Sequence, residues 1–187
     1  MGIAIFYESW KGHTARIVDR LAKGLEKAGH AVVVKRCREA TAEEVRGARA
    51  VLVASSVQMG RHHPRAVSFV RSNLEALTSK PSAFVSVSLA ARAKTDEEEK
   101  ELETILSRFE TDTGWKPSPL ACIPGAIQYT KYWFLLRWVM RSIARSKGNA
   151  TDTTRDHVYT DWDRVDGFAA GFAEALSREA PAKTSRG

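Results

Sequence analysis

A chain of 187 residues, 43% of them hydrophobic, is long enough to form one domain with a sizeable buried core. It carries 29 Lys and Arg against 22 Asp and Glu, and this formal charge of +7 favours an anionic partner: nucleic acid, lipid headgroups or an acidic small molecule. The longest strongly apolar run, residues 132–140, contains an arginine and is far shorter than the roughly 20 apolar residues that span a bilayer. This run therefore cannot be a transmembrane helix.

Five short apolar or β-branched runs alternate with segments of helical period along most of the chain. This alternation is typical of an α/β fold in which a parallel sheet is covered by helices on both faces. For a chain of this size we expect a doubly wound five-stranded sheet in the order 2-1-3-4-5, numbered along the chain. The predicted strands are residues 2–7, 31–36, 50–55, 83–88 and 120–127.

Four helices are predicted between and after these strands. The first ends before Gly29, the second begins with Pro64 in its first turn, and the third follows Thr95 and Glu98, which have the spacing of a capping box. The acidic run at 96–103 is expected to be the solvated face of the third helix. The predicted helical ranges are 17–28, 64–77, 96–109 and 161–176. We expect one domain over residues 1–178 and a disordered tail at 179–187.

The two cysteines, Cys37 and Cys122, lie far apart and neither has a CxxC neighbour. The chain also opens on a strand-like run and not on the charged and apolar regions of a secretory leader. Both observations favour a cytoplasmic protein with free thiols.

Ligands of open α/β sheets bind at the carboxyl ends of the strands, so the loop ESWKGHT at 8–14 is the first candidate site. Ser9 and Thr14 offer hydroxyls, Gly12 permits a tight turn, and the amides of Lys11, Gly12 and His13 are placed at a helix N-terminus, which suits a phosphate. The loop lacks both GxxxxGK[ST] and GxGxxG, which disfavours nucleoside triphosphates and NAD. Ordinary turn formation and helix capping explain the same residues equally well.

Two further loops follow the third and fourth predicted strands. The loop SSVQMGRHHPR at 55–65 mixes small, polar and flexible residues that suit the border of a flat ring, with Met59 on its face. His62 and His63 lack an accompanying carboxylate or cysteine at ligand spacing, so we predict no metal site and expect exposed loop histidines. The loop SVSLAAR at 86–92 is small enough for a planar ligand to approach its backbone, although it equally suits a strand end packed under a helix.

A basic, aromatic insertion occupies about residues 128–156, before the last helix. If residues 131–147 are helical, Arg137, Arg141 and Arg145 form one row, while Trp133 belongs to an apolar stripe and Trp138 suits the headgroup layer of a membrane. This pattern favours an amphipathic helix on an anionic membrane surface. A helix whose aromatic residues pack on the domain is the alternative, and nucleic acid is disfavoured because no known reader motif is present.

Over nearly its whole length the sequence resembles the menaquinone-dependent protoporphyrinogen oxidases of bacteria, a flavodoxin-fold family also called protoporphyrinogen dehydrogenases. The resemblance rests on five motifs, of which the last three are the more specific: ESWKGHT, SSVQMGRHH, PSAFVSVSLAAR, GAIQYTKYWF and TDTTRDHVYTDW. It implies FMN as cofactor, protoporphyrinogen IX as substrate, protoporphyrin IX as product in haem synthesis, and a membrane quinone as electron acceptor. It also implies a peripheral location on the inner face of the cell membrane.

The resemblance carries over to individual positions. The FMN phosphate would be enclosed by Ser9, Trp10, Lys11, Gly12, His13 and Thr14. The isoalloxazine ring would be bordered by Ser56, Val57, Gln58, Met59 and Gly60 and by Ser86, Val87, Ser88, Leu89, Ala90 and Ala91. Substrate or membrane contacts would come from Arg61, His62, His63, Arg92, Trp133, Arg137, Trp138, Arg141 and Arg145.

Several points stay open at this level. Lys11 stands where the flavodoxin loop usually has a threonine, and a lysine there would supply positive charge to the phosphate. Asp152, Tyr159 and Trp162 match the family signature without an assigned role. No catalytic acid or base is identified, and a homo-oligomer is compatible with the sequence. The alternative functions are an NAD(P)H-dependent quinone reductase of flavodoxin type and a non-enzymatic flavodoxin-like electron carrier.

The amphipathic pattern predicts that reversing the charge of Arg137, Arg141 and Arg145 together weakens binding to anionic liposomes, because each basic residue near such a surface contributes about 1 kcal/mol. Co-sedimentation with the liposomes measures this binding. Quinone turnover should slow while flavin content stays unchanged. Unchanged liposome binding would indicate the alternative, a helix packed on the domain.

Overall fold

The computed structural model describes residues 2–127 and 157–178. Its strands are β1 Ile3–Glu8, β2 Val32–Arg36, β3 Ala50–Gln58, β4 Arg61–His62, β5 Ser82–Ser88, β6 Leu120–Pro124, β7 Ala126–Ile127 and β8 His157–Val158. Its helices are α1 His13–Lys27, α2 Ala42–Gly47, α3 Pro64–Ser72, α4 Leu74–Thr78, α5 Asp96–Thr113 and α6 Trp162–Arg178. Short 3₁₀ turns follow β2 at Cys37–Glu39 and β5 at Ala90–Arg92.

The main sheet is parallel and has the order β2-β1-β3-β5-β6. This confirms the predicted order 2-1-3-4-5, because β4 is only a two-residue strand that pairs antiparallel with the end of β3. In register, Ile5 of β1 lies opposite Val34 of β2 and Leu52 of β3. The parallel register brings the loops after β1, β3 and β5 to one edge of the sheet.

Alternate residues of the central strands supply two apolar layers. Ile3 and Ile5 face the core formed with α1 and α6, whereas Ala4 and Phe6 face the core formed with α3 and α5. Both layers are buried, which explains why the central strands are almost continuously apolar. The helices therefore pack on both apolar faces of the sheet and hold its strands in place. The polar residues that could bind a ligand are found at the ends of the strands.

Two predicted helices are confirmed with little change. The first begins earlier, at His13, and ends before Gly29, which has a φ of 89° after the C-cap. The last begins after Asp161, whose carboxylate accepts hydrogen bonds from the amides of Asp163 and Arg164. The tail at 179–187 and the insertion at about 128–156 lie outside the described residues.

The helix predicted over 64–77 is wrong as a single element. It divides into α3 and α4 at Asn73, whose φ of −122° is not helical. The Asn73 side chain donates to the carbonyl of Phe69 at 2.8 Å, so it competes with the backbone for the helix-ending carbonyl. Pro64 stands in the first turn of α3, as predicted.

Only one of the two hydrogen bonds of the capping box predicted for the third helix is present. The Thr95 hydroxyl accepts from the amide of Glu98 at 3.3 Å, but the Glu98 carboxylate accepts from the amide of Lys94 and not from Thr95. A complete capping box starts α2, which the sequence analysis missed: Thr41 and Glu44 each accept from the other's backbone amide. That helix is only six residues long and therefore gives almost no periodic signal.

Both cysteines are free thiols, as predicted. Burial raises the pKa of Cys37 to about 12, with the negative charge of Glu8 as a second cause, so this thiol stays protonated at neutral pH. Burial also raises the pKa of Cys122. Within residues 2–127 and 157–178, no helix has the length and apolar character that crossing a membrane requires.

The contact between α1 and α6 predicts opposite effects of two glycine substitutions. A Cβ on Gly24 would lie 2.8 Å from Cβ of Ala169, whereas a Cβ on Gly171 would meet no atom within 4 Å. We expect Gly171→Ala to raise the free energy of unfolding by about 0.5–1 kcal/mol through helix propensity. Gly24→Ala should lower it by about 1 kcal/mol or more because the helices must separate.

Urea unfolding measures both effects, and adding Ala169→Gly to Gly24→Ala should restore part of the lost stability. Equal stabilisation by Gly24→Ala and Gly171→Ala would contradict the close packing of the two helices.

Candidate functional site

The loop between β1 and α1 is held in a closed turn by its own side chains. Gly12 has a φ of 90°, which favours glycine, and its amide donates to the Ser9 hydroxyl at 2.9 Å. The amide of Trp10 donates to the Ser56 hydroxyl at 3.2 Å. The loop after β1 is therefore joined to the end of β3, which is far away in sequence, at the carboxyl edge of the sheet.

The N-terminus of α1 has the features of an anion site. No side chain caps it and no acidic residue stands in its first turn, so the positive end of the helix dipole is not neutralised locally. The Thr14 hydroxyl is buried, the residue being 1% exposed, and it has no hydrogen-bond partner in the described part of the chain. Such a hydroxyl beside a helix N-terminus suits a phosphate oxygen as acceptor, so the residues present fit a phosphate group.

His13 is fixed by the segment that precedes α6. Its Nε2 lies 2.6 Å from the Thr160 hydroxyl, and that hydroxyl donates to the carbonyl of Pro124 at 2.7 Å. Because the single proton of the Thr160 hydroxyl is donated to Pro124, this hydroxyl must accept from His13. We therefore assign a proton to His13 Nε2, which donates to Thr160. The Trp162 ring lies 6.3 Å from the His13 ring, which gives this signature residue a packing role.

Most of the segment predicted as a loop at 55–65 is a β-hairpin, and its last two residues begin α3. Strand β3 continues to Gln58, and Met59 and Gly60 turn the chain with positive φ values of 51° and 70°. Strand β4 then returns beside β3, with Arg61 opposite Gln58. Met59 stands at the tip and is 94% exposed.

The expectation that His62 and His63 are exposed is wrong, because the hairpin folds them inward. His62 is 5% exposed, its Nε2 lies 3.0 Å from the Ser86 hydroxyl, and its ring packs against the stacked rings of Phe84 and Phe109, at 5.2 and 4.7 Å. Burial lowers the pKa of His62 to about 4, so the ring is neutral at physiological pH.

His63 is 9% exposed and forms the start of α3. Its Nδ1 accepts from the amide of Arg65 at 3.2 Å, which requires an unprotonated Nδ1. Burial is the main cause that lowers the pKa of His63, and the charges of Glu8, Arg65 and Arg36 act on it more weakly. Its ring lies 4.2 Å from the ring of Trp10, which is half exposed. His63 therefore supports Trp10 at the rim of the site.

The segment 86–92 is part strand and part turn. Ser86 and Val87 lie inside β5 and are buried, so their side chains belong to the core. The Ser88 hydroxyl accepts from the amide of Ala91 at 3.1 Å and shapes the turn of Ala90–Arg92. Leu89, Ala90 and Ala91 are partly exposed and follow β5 at the same edge of the sheet as the other two loops.

Arg92 is held by a residue from the far side of the insertion. Its guanidinium carbon lies 3.9 Å from the centre of the Tyr159 ring, a cation–π distance. The amide of Tyr159 donates to the carbonyl of Gly125 at 3.1 Å. Tyr159 therefore fixes the loop after β5, a role the sequence did not indicate. Asp152, Trp133, Arg137, Trp138, Arg141 and Arg145 lie outside the described residues.

A buried ion pair beside the first loop was missed. Glu8 is 1% exposed, its carboxylate lies 3.3 Å from Nη1 of Arg36, and the Arg36 guanidinium lies 5.0 Å from the Tyr7 ring. The sequence contained a signal for this contact, because parallel pairing of β1 with β2 places Arg36 opposite Tyr7, the residue before Glu8. Among residues 2–127 and 157–178, no three His, Cys, Asp or Glu residues are grouped as a metal site would require.

Residues 4–154 match the family model described as a flavodoxin domain. The chain belongs to the flavodoxin-domain family. Membership of this family implies a flavin cofactor, and the uncapped N-terminus of α1 with its buried Thr14 hydroxyl is compatible with the phosphate of such a group.

The relatives of this flavodoxin-domain protein include curated enzymes and solved structures. It is 30% identical over 178 residues, 95% of this chain and 98% of the relative, to a protein of Escherichia coli strain K12 named protoporphyrinogen IX dehydrogenase [quinone]. Relatives of that name are oxidoreductases, and the chain is a member of this group of enzymes.

Solved structures share its fold. Oxidised flavodoxin 2 from Bacillus cereus is 20% identical, with a TM-score of 0.58 over 94% of this chain and 99% of that one. Rubredoxin oxygen:oxidoreductase from Desulfovibrio gigas is 16% identical with a TM-score of 0.58, and the match covers 96% of this chain but only 37% of that larger chain.

The burial of His62 predicts a pH-dependent contribution to stability. Its folded pKa of about 4 lies below the unfolded value near 6.5, so the unfolded chain binds more protons between these values and stability falls as the pH falls. At pH 5 the loss relative to pH 7.5 should be about 2 kcal/mol. Urea unfolding of the wild type and His62→Gln at both pH values isolates this contribution. An identical pH dependence of the two proteins would contradict it.

Proposed function

We propose that this protein oxidises protoporphyrinogen IX to protoporphyrin IX with FMN as cofactor, and passes the electrons to a membrane quinone such as menaquinone or ubiquinone. The observation that carries the proposal is the anion site at the start of α1 in a chain that matches, over 95% of its length, relatives named protoporphyrinogen IX dehydrogenase [quinone]. FMN, when bound, supplies the acceptance and release of electron pairs. The protein's own residues bind, orient and shield the reactants.

The residues of the loop Ser9–Thr14 would hold the phosphate of FMN. The Thr14 hydroxyl donates to a phosphate oxygen, the α1 N-terminus supplies amides, and Lys11 adds positive charge in place of a hydroxyl. Lys11 is partly buried in the loop, which is compatible with this contact. His13 stays engaged with Thr160 and orients the first turn of the helix.

The ring of FMN would lie along the loops after β3 and β5. These proposed contacts are Ser56, Val57, Gln58, Met59 and Gly60 from the hairpin, with Ser88, Leu89, Ala90 and Ala91 and the backbone of Ser86 and Val87. The half-exposed Trp10 ring and the exposed Met59 thioether offer apolar surface at the rim.

The membrane part of the proposal rests on charge and composition. The chain carries a formal charge of +7, and residues 128–148 contain five Lys or Arg and no Asp or Glu. A basic surface with aromatic residues attracts anionic lipid, where a quinone is dissolved. We therefore propose a peripheral location on the inner face of the cell membrane.

The decisive experiment is anaerobic turnover. Purified protein reconstituted with FMN should be yellow, should oxidise protoporphyrinogen IX, and should be reoxidised by a menaquinone analogue. Protein that remains colourless after reconstitution would contradict the proposal. Rapid reduction by NAD(P)H without porphyrinogen oxidation would indicate a quinone reductase, and reversible reduction with neither activity would indicate an electron carrier.

The unpartnered Thr14 hydroxyl gives a sharper test of the phosphate site. Thr14→Val keeps the shape but removes the donor, so the Kd for FMN should rise roughly tenfold, the value of one hydrogen bond to a charged group. The unfolding free energy of the flavin-free variant should stay equal or rise, because a buried unsatisfied hydroxyl is removed.

Quenching of FMN fluorescence measures the Kd, Thr14→Ser should retain wild-type affinity, and Thr104→Val on the exposed surface of α5 is the matched control. Equal FMN affinity of Thr14→Val and the wild type would place the phosphate elsewhere.

A further inference from the structure

A cavity of about 750 Å³ opens between the β3–β4 hairpin, α3 and α5. Its volume is within the range of roughly 300–1,000 Å³ that is typical of small-molecule sites. Its accessible apolar floor is formed by Pro64, which is exposed, and Val67, which is half-buried, whereas the lining residues His62 and Phe109 are buried. Trp10 of the proposed phosphate loop and Gln58 and Met59 of the hairpin line it as well, so the cavity adjoins the edge of the proposed flavin site.

The rim of the cavity is positively charged. Arg61 from β4, Arg71 from the last turn of α3 and Arg108 from α5 all line it, against Asp112 as the one acidic lining residue. Arg61 and Arg71 are exposed and form no ion pair within the part of the chain that the structure describes. The rim therefore has three guanidinium groups around an apolar floor but only one carboxylate among the lining residues.

Arg108 has a structural contact as well as a position at the rim. Its Nη1 donates to the carbonyl of Gly60 at 3.1 Å and so ties α5 to the hairpin turn. This bond holds the hairpin against α5 and keeps the cavity mouth in a defined shape. The remaining N–H groups of Arg108 are oriented by the same anchor.

The floor of the cavity is neutral. Because burial lowers the pKa of His62, its ring adds no positive charge at physiological pH. The accessible apolar surface of Pro64 and Val67 is uncharged as well, so the charge is confined to the rim. Such a division suits an amphiphile with a large apolar body and carboxylate groups at one edge.

We propose that this cavity binds the substrate, with the apolar edge of the macrocycle on Pro64 and Val67 and its carboxylates on Arg61 and Arg71. The inference rests on the proposed function, since protoporphyrinogen IX carries two propionate groups on neighbouring rings. Arg–carboxylate pairs are frequently bidentate, and this geometry fixes orientation as well as affinity. The substrate would then lie against Trp10 and Met59, at the rim of the flavin site.

The test uses the FMN-loaded protein and the double variant Arg61→Gln/Arg71→Gln. These two arginines are exposed and make no described hydrogen bond, so their replacement preserves the fold, whereas Arg108 is retained because it holds Gly60. The matched control removes two exposed arginines far from the cavity lining, Arg46→Gln/Arg178→Gln. Both variants lower the net charge equally, so general electrostatic attraction is the same in each.

The double variant should raise KM for protoporphyrinogen IX roughly tenfold or more, with flavin content unchanged and kcat changed much less. The control variant should keep the wild-type KM. Binding of protoporphyrin IX and of its dimethyl ester, followed by quenching of tryptophan fluorescence, supplies a readout that does not depend on turnover. The wild type should prefer the free acid, and the double variant should lose that preference while binding the ester as before.

The outcomes separate the two proposals. If the wild type turns over protoporphyrinogen but the double variant keeps its KM and its preference for the free acid, the cavity is not the substrate site. If the double variant and the control variant weaken acid binding equally, the effect is general charge and the cavity proposal is overturned. If the wild type oxidises no porphyrinogen yet prefers the diacid through Arg61 and Arg71, the proposed function is wrong and the carboxylate site stands.

Discussion

The parallel pairing of β1 with β3 and of β3 with β5 is the constraint on which the site depends. Because parallel strands point the same way, the loops that follow them meet at one edge of the sheet, and helices on both faces keep the strands in register. The hydrogen bond from the Trp10 amide to the Ser56 hydroxyl joins the first of these loops to the end of β3. The positions of the α1 N-terminus, the hairpin and the arginine-lined cavity all follow from this arrangement.

Burial decides the chemistry of the groups at this edge. His62, which packs against the stacked rings of Phe84 and Phe109, has its pKa lowered to about 4 and is a neutral, buried side chain with one polar contact to Ser86. The Thr14 hydroxyl is also buried but lacks a hydrogen-bond partner within the described residues, so it is suited to donate a hydrogen bond to an oxygen of a ligand. Two buried polar groups thus have different roles because one is satisfied by the protein and the other is not.

The residues before α6 explain how distant segments support the site. Thr160 links His13 to the carbonyl of Pro124, and Tyr159 lies against the Arg92 guanidinium. These contacts join the start of α1 and the loop after β5 to the chain that precedes the last helix. A flavin or substrate that binds at this edge would meet residues held from three separate parts of the sequence, which favours a preorganised site.

The sequence by itself determined the sheet order, most helix positions and the loops that carry the candidate site. Hydrophobic periodicity is visible within a short stretch of sequence, and the rules for connecting parallel strands leave few possible strand orders. It did not determine the burial of His62 and His63, the division of the second helix at Asn73, or the ion pair of Glu8 with Arg36. Those features depend on which side chains pack together across the fold. Only the tertiary structure brought Arg61, Arg71 and Arg108 around one cavity, since they come from a strand and two helices that are separate in the chain.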